Sequence, residues 1–201
     1  MSVGSSVIIG LMLVGIDEVG RGCWAGPLVA GAVILPPDFS PSDKAVHLRD
    51  SKKLSKKQRE LAALWIREHA VAVGLGWVEP AEIDRLGLTE SVRLAMERAV
   101  AEIRVSYDEI IIDGNINYFP DNPKALAIIK ADDSVPSVSA ASIVAKVARD
   151  AHMSEISLSY PGYEFEKHVG YGTPAHIAAL QSLGVTDIHR LSYKPVRALL
   201  T

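Results

Sequence analysis

Asp17 and Glu18 stand side by side at the end of an apolar segment, and Gly20-Arg21-Gly22 follows after a single valine. Two more aspartates close or follow apolar segments: Asp113 in Ile110-Ile111-Ile112-Asp113-Gly114, and Asp132 in Ile128-Ile129-Lys130-Ala131-Asp132. On neighbouring strands these acids converge on one sheet edge. Converging carboxylates repel, and the arrangement persists where a cation occupies it. The chemistry implied is metal-assisted. Adjacent residues of a regular strand point to opposite faces. Asp17 is therefore expected as the central ligand, with Glu18 joining it where Val19-Gly20 lets the strand fray. Asp113 can alternatively be an ordinary Asp-Gly turn. Of Asp132 and Asp133 only one is needed, the other reading being an acid that favours a following helix N-terminus.

Hydrophobic periodicity supplies the elements that position these groups. Strands are expected over 11–17, 27–35, 70–78, 109–113 and 126–131. A helix opens at Ser55, which forms a capping box with Gln58, and runs to His69 with Leu61, Leu64, Trp65 and Ile66 as its apolar side. Glu79-Pro80 starts a short helix that Gly87 stops, and Thr89 caps the next, with Val92, Met96, Ala99, Val100 and Ile103 at helical spacing. The longest helix is expected over 139–157, and Thr173-Pro174 opens the last clear one, closed by Gly184. The order defines a mixed α/β fold with a helical, loop-rich tail.

Several polar groups remain open between two roles. Lys52, Lys53, Lys56 and Lys57 flank a helix N-terminus, where they either dock a phosphate or form a solvated basic face. Ser142 and Lys146 share a helix face with a spacing of four, suited to orienting a phosphodiester or to packing an Ala-rich helix. Tyr163, after Pro161-Gly162, reads as a turn aromatic that plugs the core. Asp150 lies too far along the same helix to share a cation with the strand acids. His189, Arg190 and Pro195 seat the tail, and Arg190 alternatively meets a phosphate.

Composition bounds these readings. The 201 residues suit one domain over 1–201, with 1–6 as a loose leader and a helical C-terminal extension from about 153 to 201. The single cysteine, Cys23, forms no internal disulfide, which fits a reducing cytoplasm. The apolar run over 7–16 is roughly half the ~20 residues a bilayer span needs. A net charge of −3 argues against coating nucleic acid by bulk electrostatics, but not against a nuclease. Neither G-x-G-x-x-G nor P-loop spacing occurs, so a nucleotide-cofactor site has little support.

The chain resembles ribonuclease HII, the bacterial type 2 ribonuclease H. The matching segments are Asp17-Glu18-Val19-Gly20-Arg21-Gly22, Asp50-Ser51-Lys52, Ile112-Asp113-Gly114, Lys130-Ala131-Asp132, the stretch from Ser139 to Asp150, Tyr160-Pro161-Gly162-Tyr163, His168-Val169-Gly170-Tyr171-Gly172-Thr173 and His189-Arg190-Leu191-Ser192-Tyr193-Lys194-Pro195-Val196. The resemblance implies a ribonuclease H-like mixed sheet flanked by helices. It implies Asp17, Glu18, Asp113 and Asp132 as ligands of two Mg²⁺ or Mn²⁺ ions. It favours Asp132 over Asp133, although the family has glycine where this chain has Ala131, a residue that tolerates positive φ poorly. It assigns substrate contacts to Gly20, Arg21, Gly22, Lys52, Ser142, Lys146 and Tyr163. The implied activity is hydrolysis of RNA in RNA–DNA hybrids and incision at single ribonucleotides in duplex DNA, leaving 5′-phosphate and 3′-hydroxyl ends. A cytoplasmic monomer with no membrane partner is expected. A DNA-acting resolvase or integrase of the same fold group, and a silent nucleic-acid-binding module, are the alternatives.

Overall fold

The structure is a computed structural model that describes residues 11–39, 48 and 54–200. The elements, in chain order, are β1 (Leu13–Val19), β2 (Leu28–Ile34), α1 (Lys56–His69), β3 (Ala72–Val78), α2 (Pro80–Leu86), α3 (Leu88–Ala101), β4 (Glu109–Asp113), β5 (Ala125–Ile128), α4 (Ala131–Ser134), α5 (Pro136–Ser157), α6 (Phe165–His168), α7 (Pro174–Leu183) and α8 (Lys194–Arg197). The strands form one sheet in the order β3-β2-β1-β4-β5. Strands β1, β2 and β3 pair antiparallel, with α1 inserted between β2 and β3, and β4 and β5 add in parallel on the other side of β1. Every residue of β2 is buried, as expected of an interior strand covered on both faces.

One face packs on α3 through Val14, Ile16, Ala30, Ala32, Ala95, Met96 and Ala99. The other receives α5 at very short range. A Cβ at Gly15 would lie 2.2 Å from the backbone of Ser137 and Val138, and one at Gly31 would lie 2.4 Å from the Ala141 carbonyl. These glycines let the helix axis settle onto β1 and β2. Because side chains alternate along a strand, Asp17 shares the face of Gly15 and points toward α5.

The sheet departs from expectation in instructive places. Helix α1 does have the Ser55/Gln58 capping box. Its buried side, however, is Ala62, Ala63 and Ile66, while Leu61 and Leu64 are 58% and 66% exposed. Small residues let α1 approach Ala140, Ala141 and Val144 of α5, and closeness won over side-chain size. Gly87, not Thr89, is the N-cap of α3, and it serves both as the stop of α2 and the start of α3. Helix α5 begins at Pro136, a first-turn proline, three residues before Ser139. The fifth strand ends at Ile128, so Asp132 sits on the short helix α4 instead of at a strand end. The positive φ expected near Ala131 belongs to Lys130 (φ 59°), which leaves Ala131 free to be helical.

The C-terminal segment is anchored by two fully buried arginines. Arg149 donates to the carbonyls of Pro27, Val169 and Ala25. Arg190 donates to the carbonyls of Gly26 and Arg21. Arg190 thus seats the tail, and its guanidinium is consumed by backbone acceptors inside the fold.

The close approach of α5 sets a direct expectation. Gly15→Ala forces a shift of α5, and overpacking of this kind costs about 1–3 kcal/mol. Thermal unfolding should show Tm lowered by roughly 3–10 °C; an unchanged Tm would contradict the packing described.

Candidate active site

Three carboxylates meet at the carboxyl end of the β1–β4 pair. The parallel register Gly15↔Ile111 and Ile16↔Ile112 leaves Asp17 and Asp113 as next neighbours on the face toward α5. Asp132 arrives from α4, whose position is tied to the same place because the Ala131 N–H donates to Asp113 Oδ1 at 2.8 Å. The Ser139 hydroxyl, from α5, donates to the Asp132 carbonyl. One oxygen each from Asp17, Asp113 and Asp132 falls within 4.8 Å of the others. That spread suits a single cation, whose opposite oxygen ligands lie about 4–5 Å apart at metal–oxygen distances of ~2.0–2.6 Å. An all-carboxylate donor set is the chemistry of a hard divalent ion.

Glu18 is placed differently. The strand does not fray there: Glu18 pairs with Ala30 and Val19 with Val29, and the chain turns only at Gly20, whose φ is 90°. Glu18 lines the same cleft, but its carboxylate meets Arg21 at 3.0 Å. It stands outside the three-acid group, on the opposite face of the strand.

The electrostatics follow from burial first and from crowding second. Burial, then the neighbouring Glu18 and Asp113 carboxylates, push Asp17 up from the usual 3.8 to about 8, against a lowering hydrogen bond from Ser142. Burial also raises Glu18, and the Arg21 guanidinium opposes that rise. Without a counter-charge the site favours holding a proton, and a divalent cation supplies the missing charge.

Asp17, Glu18 and Asp113 form one wall of a cleft of about 290 Å³ lined also by Val19, Gly20, Arg21, Gly22, Arg59, Ser142, Lys146 and Tyr171. The Gly20-Arg21-Gly22 turn is held from beneath: the Arg21 carbonyl accepts from Arg190 and from the Tyr193 hydroxyl. Gly20 also passes against Arg149, where a Cβ would lie 2.4 Å from Nε. Lys146 is paired with Asp150 at 2.9 Å and stands 5.8 Å from the Tyr171 ring centroid. Asp150 therefore acts structurally, as its distance along α5 implied.

Of the residues singled out for substrate contact, Gly20, Arg21, Gly22, Ser142 and Lys146 line this cleft. Lys52 lies outside the described residues, as do Asp50, Ser51 and Lys53. Tyr163 is not in the cleft wall. It is 4% exposed, stacks on Phe165 at 5.2 Å, and its hydroxyl donates to the Gly184 carbonyl at 2.7 Å. Its burial matches the core-plugging reading of that turn. The cleft tyrosine is Tyr171, 3.9 Å from where a Cβ on Gly22 would sit. Its signal was the glycine on each side: Gly170 (φ 85°) passes against the Ala25 carbonyl and Gly172 against the Trp24 ring. Arg59, within the basic run before and inside α1, was the second residue not singled out.

Comparison with known proteins agrees with this geometry. The crystal structure of the ribonuclease H2 from Pyrococcus horikoshii superposes with a TM-score of 0.79 at 26% identity, covering 94% of this chain and 97% of that one. The fold is ribonuclease H-like, and the acidic cleft at the strand ends makes the chain a candidate metal-dependent nuclease of that class. The family profile described as Ribonuclease HII matches residues 14–196. Curated ribonuclease HII sequences from Nitrosococcus oceani and Dichelobacter nodosus are each 46% identical, over 98% and 94% of this chain and 95% and 97% of theirs. The chain belongs to the ribonuclease HII family.

The raised Asp17 carboxyl has a measurable consequence. A folded-state value of about 8 against 3.8 means that the folded, metal-free protein binds this proton more tightly than the unfolded chain. The associated stability is present below about pH 4 and lost as pH rises through about 8. Asp17→Asn abolishes that loss. In chelator at pH 8 its Tm should exceed wild type by roughly 3 °C or more, and the difference should vanish near pH 4. A Tm gap independent of pH would contradict the assignment.

Proposed function

We propose that this chain hydrolyses the RNA strand of RNA–DNA hybrids and incises single ribonucleotides embedded in duplex DNA, leaving 5′-phosphate and 3′-hydroxyl ends. The observation that carries this reading is the meeting of Asp17, Asp113 and Asp132 within 4.8 Å, with Asp17 and Asp113 lining a cleft shared with Gly20-Arg21-Gly22 and Tyr171.

Asp17, Asp113 and Asp132 are the residues that would hold one Mg²⁺ or Mn²⁺, and Glu18, on the same cleft, is the acid that would help hold a second in a two-metal site. Such ions supply Lewis-acid stabilisation of charge at phosphorus and lower the pKa of water. The chain's own groups do the rest. Ser142 orients the Asp17 carboxyl by its hydrogen bond. Lys146, on the same cleft, presents an ammonium to the phosphodiester. The glycines of the 20–22 turn permit close approach of a sugar, and Arg21, steadied by Glu18, offers a fixed cation. The Tyr171 ring, beside Gly22 on the cleft, is assigned the role of stacking on a ribose. The 2′-hydroxyl is the group that separates RNA from DNA, and a backbone turn facing an aromatic ring is suited to test for it. The segment from about 153 to 201, which carries Tyr171 and is clamped by Arg149 and Arg190, serves as the substrate-binding extension of one catalytic domain. No helix among the described residues is long and apolar enough to cross a membrane. A monomer acting in the cytoplasm completes the proposal, and a buried free Cys23 suits that reducing compartment.

The test is a duplex series carrying one ribonucleotide, a run of ribonucleotides, or none. Cleavage should require a ribonucleotide and either Mg²⁺ or Mn²⁺, and the all-DNA duplex should survive. Asp17→Asn, Asp113→Asn and Asp132→Asn should each lower kcat by roughly 10³-fold or more, the scale of several kcal/mol of lost charge stabilisation, with duplex binding retained. Near-wild-type cleavage by any of the three, or equal cleavage of all-DNA duplex, would refute the proposal.

A further inference from the structure

Behind Tyr171 lies a line of buried histidines for which the proposed chemistry has no use. His189 Nδ1 is within 3.0 Å of the Thr186 backbone nitrogen, a group that can only donate, so Nδ1 is the acceptor. A neutral His189 therefore carries its proton on Nε2, 3.1 Å from His176 Nε2. His176 must accept there, which puts its own proton on Nδ1. That nitrogen lies 3.0 Å from the Tyr171 carbonyl, a group that can only accept. The two ends of the chain of bonds thus demand the same pair of tautomers independently.

The same logic fixes a third ring. His168 Nδ1 accepts from the Gly170 N–H at 3.3 Å, and Nε2 donates to the Tyr163 carbonyl at 2.7 Å. Its ring stacks on His176 at 4.6 Å. The backbone on both sides of the cleft tyrosine is therefore pinned by imidazoles, with the Tyr171 N–H also donating to the His168 carbonyl at 2.9 Å. Protonating His176 would set two donors face to face at 3.1 Å, and protonating His189 would set its Nδ1–H against the Thr186 N–H at 3.0 Å.

We infer that His189 and His176 form a tautomer-locked relay, Thr186 N–H to His189 to His176 to the Tyr171 carbonyl, and act as positioning residues that set the Tyr171 ring against Gly22 for ribose recognition. Burial drives both imidazoles down to about 4, with His168 pushing the same way and Asp187 opposing at His189, and this keeps the relay neutral at physiological pH. The inference rests on the reading of Tyr171 as a substrate contact, and the experiments separate the two.

Side-chain ¹⁵N–¹H spectra of the full chain at pH 7 should show His189 protonated only on Nε2 and His176 only on Nδ1. The opposite tautomer on either ring, or a doubly protonated ring, overturns the relay. His176→Leu removes the donor to Tyr171. It should raise KM for a single-ribonucleotide duplex about tenfold, the scale of one lost hydrogen bond, while kcat changes by less than about threefold, and it should shift the Tyr171 ring resonances. His176→Asn keeps an N–H at the Nδ1 position and should stay within about threefold of wild type in KM. Equal behaviour of the two variants, or an H176L variant with wild-type KM and Tyr171 resonances, overturns the inference. If H176L does not fold, the wild-type tautomer spectrum and the H176N kinetics decide. Tyr171→Ala is the control: if it leaves ribonucleotide selectivity intact, the substrate reading of Tyr171 fails, and the relay stands or falls on the tautomers and ring resonances.

Discussion

Mutual repulsion of Asp17, Asp113 and Asp132 is the constraint around which the molecule is organised. Three carboxylate oxygens within 4.8 Å are an unfavourable arrangement in a folded chain. They are kept there by covalent and hydrogen-bonded geometry that has no relief available. The parallel β1–β4 ladder fixes two of them, and the Ala131 N–H bond to Asp113 ties in the third. The body of α5, pressed onto Gly15 and Gly31, closes the face they share. Burial first, and then the Glu18 and Asp113 charges, push the Asp17 carboxyl up to about 8. Stability given up at this point is a common property of sites built to take a ligand.

The rest of the cleft is built by a different device. Where Asp17 and Asp113 come from strands and Asp132 from α4, the opposite wall comes from loops brought together by buried cations. Arg149 and Arg190 donate into the carbonyls of 25–27, 169 and 21, so distant segments of the chain are stitched around the Gly20-Arg21-Gly22 turn. Charged donors serving several carbonyls at once are strong and directional bonds. They explain how a loop wall can face a rigid sheet wall with a defined gap.

What was legible in the sequence and what was not divides along physical lines. Strand-end acids were readable because apolar runs interrupted by an acid and a glycine have few structural explanations. The register that joins Asp17 to Asp113 needed only β1 and β4 to be neighbours. On α1, Ile66 and Trp65 do pack inward, but Ala62 and Ala63 replace Leu61 and Leu64 on the buried side, because helical spacing fits either pair and the close helix contact selects the small residues. The apolar run Ala125-Leu126-Ala127-Ile128-Ile129 does not reveal where pairing stops, so its length alone points to a strand reaching Asp132. Tyr163 and Tyr171 both follow glycines. Only the fold, with Tyr163 packed on Phe165 and Tyr171 beside Gly22, separates a core aromatic from a cleft aromatic. Fully buried arginines run against the ordinary exposure of that residue, and nothing local in the sequence marks them.

The central claim is that three crowded carboxylates make one cation site whose proton a metal must displace. Calorimetric titration of the metal-free protein with Mn²⁺ at pH 7, repeated in buffers of different ionisation enthalpy, reads that displacement directly. The account predicts net proton release on binding in the wild-type protein and its loss in Asp17→Asn. Tight Mn²⁺ binding with no proton released, or binding undiminished when Asp113 is changed to Asn, would contradict it.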